Sequence, residues 1–342
     1  MFKILSLCDG MSCAQIALNK LGITDYIYFA AEIKSHAIFC TQYNYPNTIQ
    51  LGDLTKITYH NGLLKSSMGD YEIGNIDLVI FGSPCQTFSI LCNSAARVGV
   101  KNKKKSGLFY DCLRILREVK PTYFLVENVA SMSISNKELI SNALGVQPIR
   151  LNSSLVSCSL RDRLYWTNIN LSSIHIDDRK ISLQSILTDG YTDKLKAMAL
   201  VRKPLGGFNQ PKIKLFCRYM YGVNNGTLIF KSKEHFIECC NNYEKIIKKY
   251  KLNVKDVKPN FFSNLNESFD VYPFLDIRVL NVTESEICQT VPIGYTNCVT
   301  EIQAYDLLGD SFTVDIIAIL LKPIFDGIPP ININKKLVRR CV

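Results

Sequence analysis

The sequence predicts an α/β fold, a mostly parallel sheet with helices on both faces, carrying a smaller inserted domain. Three observations predict it. Strand-like and helix-like stretches alternate with short connections through the first half of the chain, which implies right-handed crossovers. The run IDLVIFG (76–82) is continuously apolar and bounded by turn residues, as in a strand covered on both faces. The alternation stops near residue 171 and resumes near 283, so 1–171 and 283–342 read as one domain interrupted by 172–282.

Each element has its own signal. FKILSL (2–7) reads as a buried strand, and a turn at Asp9-Gly10 leads into a helix from about Met11 to Leu21, with Gly22 as its stop. YIYFAAEI (26–33) is a second strand and 34–44 a second helix. After 76–82 comes a polar stretch, 84–106, and then a helix from near Ser106 with Leu108, Cys112, Ile115, Leu116 and Val119 along one face. TYFLVENV (122–129) is a strand, and Ser135 with Glu138 has capping-box spacing ahead of a helix ending at Leu144. The apolar helix at 313–321 is expected to end at Pro323. Within 172–282 Lys, Asn and aromatics are more frequent, and KIIKKYKLNVKDVK (245–258) reads as a solvated helix face.

Composition narrows the function classes. A chain of 342 residues buries a substantial core without staples. Hydrophobic and charged fractions of 47% and 20% are those of an ordinary soluble protein. No apolar run approaches the roughly 18 residues that span a bilayer, so no membrane partner is expected. Asp9 interrupts the N-terminal apolar stretch too early for a signal peptide, and a cytoplasmic location is expected. The thirteen cysteines include no Cys-x-x-Cys pair, and with four histidines they suggest no metal site. Cys40, Cys112 and Cys217 sit among apolar neighbours, where free cysteine acts as a small hydrophobe. Lys and Arg outnumber Asp and Glu by 40 to 30, a net charge of +10 that is compatible with a polyanionic partner and does not by itself identify one.

Ligands of such sheets bind at the carboxyl ends of strands. That rule gathers Asp9-Gly10, Glu32, Gly82 to Gln86 and Glu127-Asn128 on one edge. Cys85, in GSPCQTFS (82–89), follows a buried strand on a Pro-containing turn and reads as a nucleophile or as a structural loop cysteine. Glu127 ends the neighbouring strand, placed for proton transfer or for an ion pair. Arg161 and Arg163, two apart in LRDRLYW, would share a strand face, suited to carbonyl or phosphate oxygens or to surface salt bridges. The Asp9-Gly10 turn allows close ligand approach, Glu32 suits ribose hydroxyls, and Asp53 would add a third polar contact. Without Gly-x-Gly-x-x-Gly or a Walker loop, the ligand reads as a nucleoside lacking pyrophosphate.

Taken in order, LSLCDGMSCAQIAL, Glu32, Asp53, GSPCQTFS, SGLF, ENV, RDRLYW, TESEICQTVP and LLGDSFTVDII resemble the cytosine-C5 DNA methyltransferases over residues 1–170 and 279–325. The branch they look closest to is the de novo type with its phage and bacterial relatives. The resemblance implies a class I, Rossmann-like fold dependent on S-adenosylmethionine, with 172–282 as a target-recognition domain. It implies that Cys85 attacks carbon 6 of a flipped cytosine in double-stranded DNA, that Glu127 holds N3, and that Arg163 with Arg161 steadies O2. Ser6, Leu7, Cys8, Asp9, Gly10, Met11, Ser12, Glu32, Ile33, Asp53, Leu54, Gly82, Pro84, Leu108, Asp310 and Ser311 would surround the cofactor. Gln86, Ser89, Arg97, Lys101, Lys103, Lys104 and Lys105 would meet DNA from a loop that closes over the base. A bacterial or phage origin and a cognate restriction endonuclease are in keeping with such relatives.

The chain departs from the family pattern on the cofactor side, with Cys8, Ser12, Ile33 and Asp310 where other residues are usual, and with Ser159 opening the arginine motif. Methylation of RNA by the same chemistry, and a non-catalytic DNA-binding relative, are the competing readings. The insert's length argues against the first, and retention of Cys85 and Glu127 against the second.

Overall fold

The computed structural model describes residues 1–84, 107–201, 212–220, 226–249 and 272–333. Two compact units divide the chain: residues 1–152, 162–176 and 311–342 form the first, and 153–161 with 177–310 the second. Residues 283–310, expected with the first segment, therefore fall in the second unit.

In chain order the first half holds β1 (Phe2–Leu7), α1 (Cys13–Lys20), β2 (Tyr26–Ala31), α2 (Ser35–Asn44), β3 (Ile49–Gln50), β4 (Thr58–His60), β5 (Leu63–Ser66), β6 (Gly69–Glu72) and β7 (Leu78–Gly82). Then come α3 (Leu108–Val119), β8 (Tyr123–Val129), α4 (Ile134–Leu144), β9 (Ile149–Asn152), β10 (Ser159–Leu160), β11 (Asp162–Thr167) and β12 (Ala197–Met198). The remainder is helical: α5 (Lys212–Met220), α6 (Lys233–Lys249), α7 (Tyr272–Leu275), α8 (Val282–Cys288), α9 (Glu301–Asp310) and α10 (Val314–Phe325).

The first unit is built on a seven-stranded sheet of order β3-β2-β1-β7-β8-β11-β9. It is parallel from β3 to β8, and β11 runs antiparallel to both β8 and β9. Alternation in each strand splits two buried faces. Leu5, Leu7, Phe29, Val79, Phe81, Phe124 and Val126 join Phe109, Cys112, Leu116, Ile140 and Leu144 of α3 and α4 in one cluster. Ile4, Tyr28, Leu78, Ile80 and Leu125 point to the other face, where Phe2 meets Phe325 of α10 at 5.3 Å between ring centroids. Both faces are covered, so the strands read as unbroken apolar runs. A separate antiparallel meander, β4-β5-β6, belongs to the same unit.

Three local expectations change. Helix α4 is capped by Ser133, whose Oγ accepts from the Asn136 N–H, so Ser135 and Glu138 form no capping box; the first free turn occurs two residues earlier than their spacing suggests. The capping box lies instead at Asn281 and Glu284 of α8. Pro323 lies inside α10, which runs on to Phe325. Its missing N–H falls in the last turn, where burial of Leu320, Leu321 and Ile324 outweighs one lost bond.

In the second unit, α5, α6 and α7 enclose Phe216, Phe230, Tyr243, Ile246, Ile247 and Phe274. The start of the lysine-rich run is thus amphipathic, with Ile246 and Ile247 buried at the end of α6. Residues 250–258 of that run lie outside the described residues.

Candidate active site

The carboxyl ends of β1, β2, β7 and β8 are adjacent in the sheet, and the polar groups expected there are brought together within the first unit. The loop after β1 is tightly wound. Cys8, Gly10 and Ser12 all take left-handed backbone, with φ of 55°, 61° and 65°. For Cys8 and Ser12 that conformation is costly, and it persists because the loop is held from several sides. The Asp9 N–H donates to the Ala31 carbonyl, and Thr41 Oγ1 donates to the Gly10 carbonyl. Ser12 Oγ and Tyr28 Oη each donate to the Asp9 carboxylate at 2.7 Å. Burial pushes Asp9 up to about 6, against the opposing pull of hydroxyl bonds from Ser6, Tyr28 and Ser12.

Glu32, just past β2, accepts from three backbone N–H groups: Gly10 on Oε2, and Ile33 and Lys34 on Oε1, all within 2.9 Å. Its carboxylate is fixed with acceptor capacity to spare. Nothing lies within 4 Å of where a β-carbon on Gly10 would sit, and Ile33 is 70% exposed beside Glu32. A rigid carboxylate, an accessible glycine backbone and an exposed apolar side chain fit a nucleoside with a cationic tail. Ser6, Leu7 and Met11 are buried behind the loop. Asp53 caps a short turn, accepting from Thr55 N and Oγ1 ahead of buried Leu54. Leu108 opens α3 at the margin of the main cluster, and Ser311 is buried before α10. Asp310 ends α9 in the second unit.

At the other end of the edge, Arg163 Nε lies 2.7 Å from Glu127 Oε1, both side chains largely buried. The N–H is not aligned on that oxygen, so the contact is an ion pair, and among the described residues no hydrogen-bond donor is aimed at Oε1. A buried carboxylate oxygen with a free lone pair is the place for an incoming N–H. Gly82 is required here. A β-carbon on it would lie 2.7 Å from Phe312 Cε1 and 3.2 Å from Glu127 Oε2. Arg161 is not part of the strand that carries Arg163: it precedes β11, belongs to the second unit, and donates from Nη1 to the Gly309 carbonyl at 3.3 Å.

Cys85, Gln86, Ser89, Arg97, Lys101, Lys103, Lys104 and Lys105 lie outside the described residues, whereas Ser83 and Pro84 lead up to Cys85 from β7.

Residues 2–146 match the family model of C-5 cytosine-specific DNA methylases. The chain is 31% identical over 147 residues to the type II methyltransferase M.NgoBV of Neisseria gonorrhoeae, an alignment covering 42% of this chain and 31% of that protein. It is 26% identical over 179 residues to the orphan methyltransferase M.SPRI of Bacillus phage SPR, covering 49% of this chain and 37% of that one. The alignments thus span about a third of those relatives' length. The fold of Spodoptera frugiperda DNMT2 superposes with a TM-score of 0.59 at 21% identity, over 95% of this chain and 100% of that one. The matched residues 2–146 include the ends of β1, β2, β7 and β8, so the part of the chain similar to C-5 cytosine-specific DNA methylases carries most of the sheet edge above.

Asn128, gathered on this edge with Glu127 from the sequence, bonds Ser83. Several other residues that matter were not singled out from the sequence. Tyr28 reaches Asp9 from the preceding face of β2, and Phe312 covers Gly82. In the second unit, buried Glu284 takes both Nη groups of Arg278 with Thr188 N and Asn281 N. Burial alone would push Glu284 up, but Arg278 and those N–H groups hold it below the ordinary glutamate value. Glu286 accepts from Gly294 N, Thr296 N and Thr296 Oγ1. Two carboxyls in TESEICQTVP were the available signal.

Among the described residues no helix is long and apolar enough to cross a membrane, and no group of three or more His, Cys, Asp or Glu is placed to hold a metal ion.

Proposed function

We propose that the chain transfers a methyl group from S-adenosylmethionine to carbon 5 of a cytosine flipped out of double-stranded DNA. The observation that carries the reading is the buried Glu127–Arg163 pair with an open acceptor on Oε1, on the same sheet edge as the Cys8–Ser12 loop. A cytosine presents N3 and an exocyclic N–H donor side by side, the groups such a carboxyl can hold.

In this reading the Cys85 thiolate adds to carbon 6 of the base while Glu127 carries a proton to N3. Arg163 fixes the Glu127 carboxyl and offers its guanidinium to the base O2. Electron density from the new sulfur–carbon bond reaches carbon 5. S-adenosylmethionine, held by Glu32, Ile33, Gly10 and Asp53, supplies an electrophilic methyl group when bound. Loss of the carbon-5 proton then breaks the sulfur–carbon bond and returns Cys85 as thiolate. The roles of Cys85, of the basic stretch Arg97 to Lys105 and of residues 172–282 as the target-reading region rest on sequence resemblance. Such a protein would work in the cytoplasm of a bacterium, with or without a partner restriction endonuclease.

The test is transfer of labelled methyl from S-adenosylmethionine to mixed-sequence duplex DNA and, in parallel, to transfer RNA, with Cys85→Ser alongside. Label in 5-methylcytosine of DNA from the unmodified chain alone supports the proposal. Label confined to RNA, or undiminished in Cys85→Ser, overturns it.

A further inference from the structure

The core of the second unit brings two thiols face to face. Cys158, just ahead of β10, and Cys288, the last residue of α8, are both fully buried, with sulfurs 3.4 Å apart. They are 130 residues apart in the chain, so only the tertiary fold joins them. Around them pack Leu183, Ala197, Ile229 and Leu280. We infer that Cys158 and Cys288 are a redox-active dithiol that closes to a disulfide on meeting a peroxide-class oxidant. This modification site stands independently of the methyl-transfer reading.

Distance is the first argument. A disulfide bond is about 2.05 Å long, so closure asks the sulfurs to approach by roughly 1.4 Å. Neither sulfur is held at the middle of a long regular element. Cys288 ends its helix, and Cys158 lies in the irregular stretch ahead of a two-residue strand.

The two thiols are also unequal. The Cys288 thiol donating to Cys158, helped by Ser157, holds Cys158 below the ordinary thiol value against the effect of burial. Lys196 adds to this. Its ammonium donates to the carbonyls of Ser154 and Ser157 at 2.8 and 2.9 Å, fixing a positive charge beside Cys158. Cys288 is pushed upward by the same hydrogen bond and by burial, so it keeps its proton. Of the two thiols, Cys158 is thus the more readily ionised and Cys288 the proton donor, the inequality a dithiol uses. Cys217 and Cys239, buried elsewhere in the unit, are pushed upward, chiefly by burial.

Access is the third argument. A cavity of about 30 Å³ is lined in part by Leu280, Ser285, Tyr305 and Leu308. Leu280 is common to the cavity wall and the thiol cluster. Ser285, one turn before Cys288 on α8, has a buried hydroxyl with no hydrogen-bond partner among the described residues. A space of this size with one unsatisfied hydroxyl admits a molecule as small as water or hydrogen peroxide.

The chemistry closes without further reagents. The Cys158 thiolate attacks one peroxide oxygen, the oxygen–oxygen bond breaks, and Cys158 becomes a sulfenic acid as hydroxide leaves. The Cys288 sulfur then attacks the sulfenic sulfur. The sulfur–oxygen bond breaks and the oxygen leaves as water with the Cys288 proton, while the proton that Cys158 gave up on ionising neutralises the hydroxide of the first step. Two thiols lose two electrons, and one peroxide becomes two waters.

To test this, the reduced full chain is exposed to hydrogen peroxide at neutral pH under native conditions. Remaining thiols are alkylated, and the unreduced digest is mapped by mass spectrometry. The expected result is a Cys158–Cys288 linked peptide, formed ahead of any other cysteine pairing and reversed by dithiothreitol. Cys288→Ala should yield no such link and should leave a Cys158 sulfenic acid that dimedone traps. Recovery of both cysteines alkylated while others oxidise would overturn the inference, as would a link that appears only after denaturation. If Cys288→Ala does not fold, mapping of the unmodified chain still decides.

Discussion

Asn128 Nδ2 donates to both the carbonyl and the hydroxyl of Ser83, at 3.2 and 3.1 Å, while its own Oδ1 accepts from the Val129 N–H at 2.9 Å. The amide therefore pins the end of β7 to the end of β8, two residues before Cys85. Asn128→Ala should cost about 1–2 kcal/mol of stability for the lost bonds. Methyl transfer should fall further, about 10–100-fold in kcat with KM for cofactor little changed, because positioning errors near a nucleophile act on the reaction step. Steady-state kinetics and thermal melts on the same preparation separate the two effects.

Glu127 and Arg163 should behave as a unit. Glu127→Gln keeps the shape but cannot pass a proton, and kcat should drop by about 10²–10⁴-fold. Arg163→Lys keeps the charge without the guanidinium plane and should fall between that variant and the parent. If the pair is coupled, the double variant loses less than the product of the single losses, measured as kcat/KM on duplex DNA.

Gly82 leaves no room for a methyl group under Phe312. Gly82→Ala should destabilise the first unit by about 1–3 kcal/mol through overpacking. Adding Phe312→Leu should recover part of that loss. Urea denaturation of the single and double variants checks it, and equal losses in both would mean that Glu127, not Phe312, sets the limit.

Asp9 makes stability depend on pH in a stated direction. Its native value of about 6 lies above the ordinary aspartate value, so the folded state holds the proton more tightly than the unfolded chain. The stabilisation is complete below about pH 4 and is lost as pH rises through about 6. Asp9→Asn keeps both polar partners and never ionises. It should melt within a degree or two of the parent near pH 4 and above it at pH 7, by an amount worth about 1–3 kcal/mol. Melting temperatures across that range test the sign.

Glu286 is fully buried and is the acceptor for three donors of the 294–296 loop. Glu286→Ala strands all three and should cost roughly 3 kcal/mol or more, whereas Glu286→Gln retains one acceptor oxygen and should cost less. Hydrogen exchange at Gly294 and Thr296 should rise in the same order.

The strands of the first unit were legible because a sheet covered on both faces leaves continuous apolar runs, as in LVIF of β7. The helix on the far side of the polar stretch was legible from its one apolar face. Caps were less so. Ser133 and Ser135 are both competent N-caps, and only the backbone turn chooses between them. At the site, the gathering of Asp9, Glu32, Gly82 and Glu127 followed from strand ends alone. That Arg161 falls outside β11 did not, because a one-residue difference in where the strand begins decides it. Asn128 and Phe312 act through contacts spanning 45 residues and more, which no local pattern carries.

The chain passes between its two units at 152/153, 161/162, 176/177 and 310/311. A ribosome emits it in that order, so the sheet of the first unit waits for α10 until the whole second unit has been made. Until then the face where Phe2 meets Phe325 is without that helix, and the nascent chain leaves apolar surface open there. Joining residues 311–333 directly ahead of residue 1 would deliver that helix first. Such a circular permutant should aggregate less during synthesis than the natural order does.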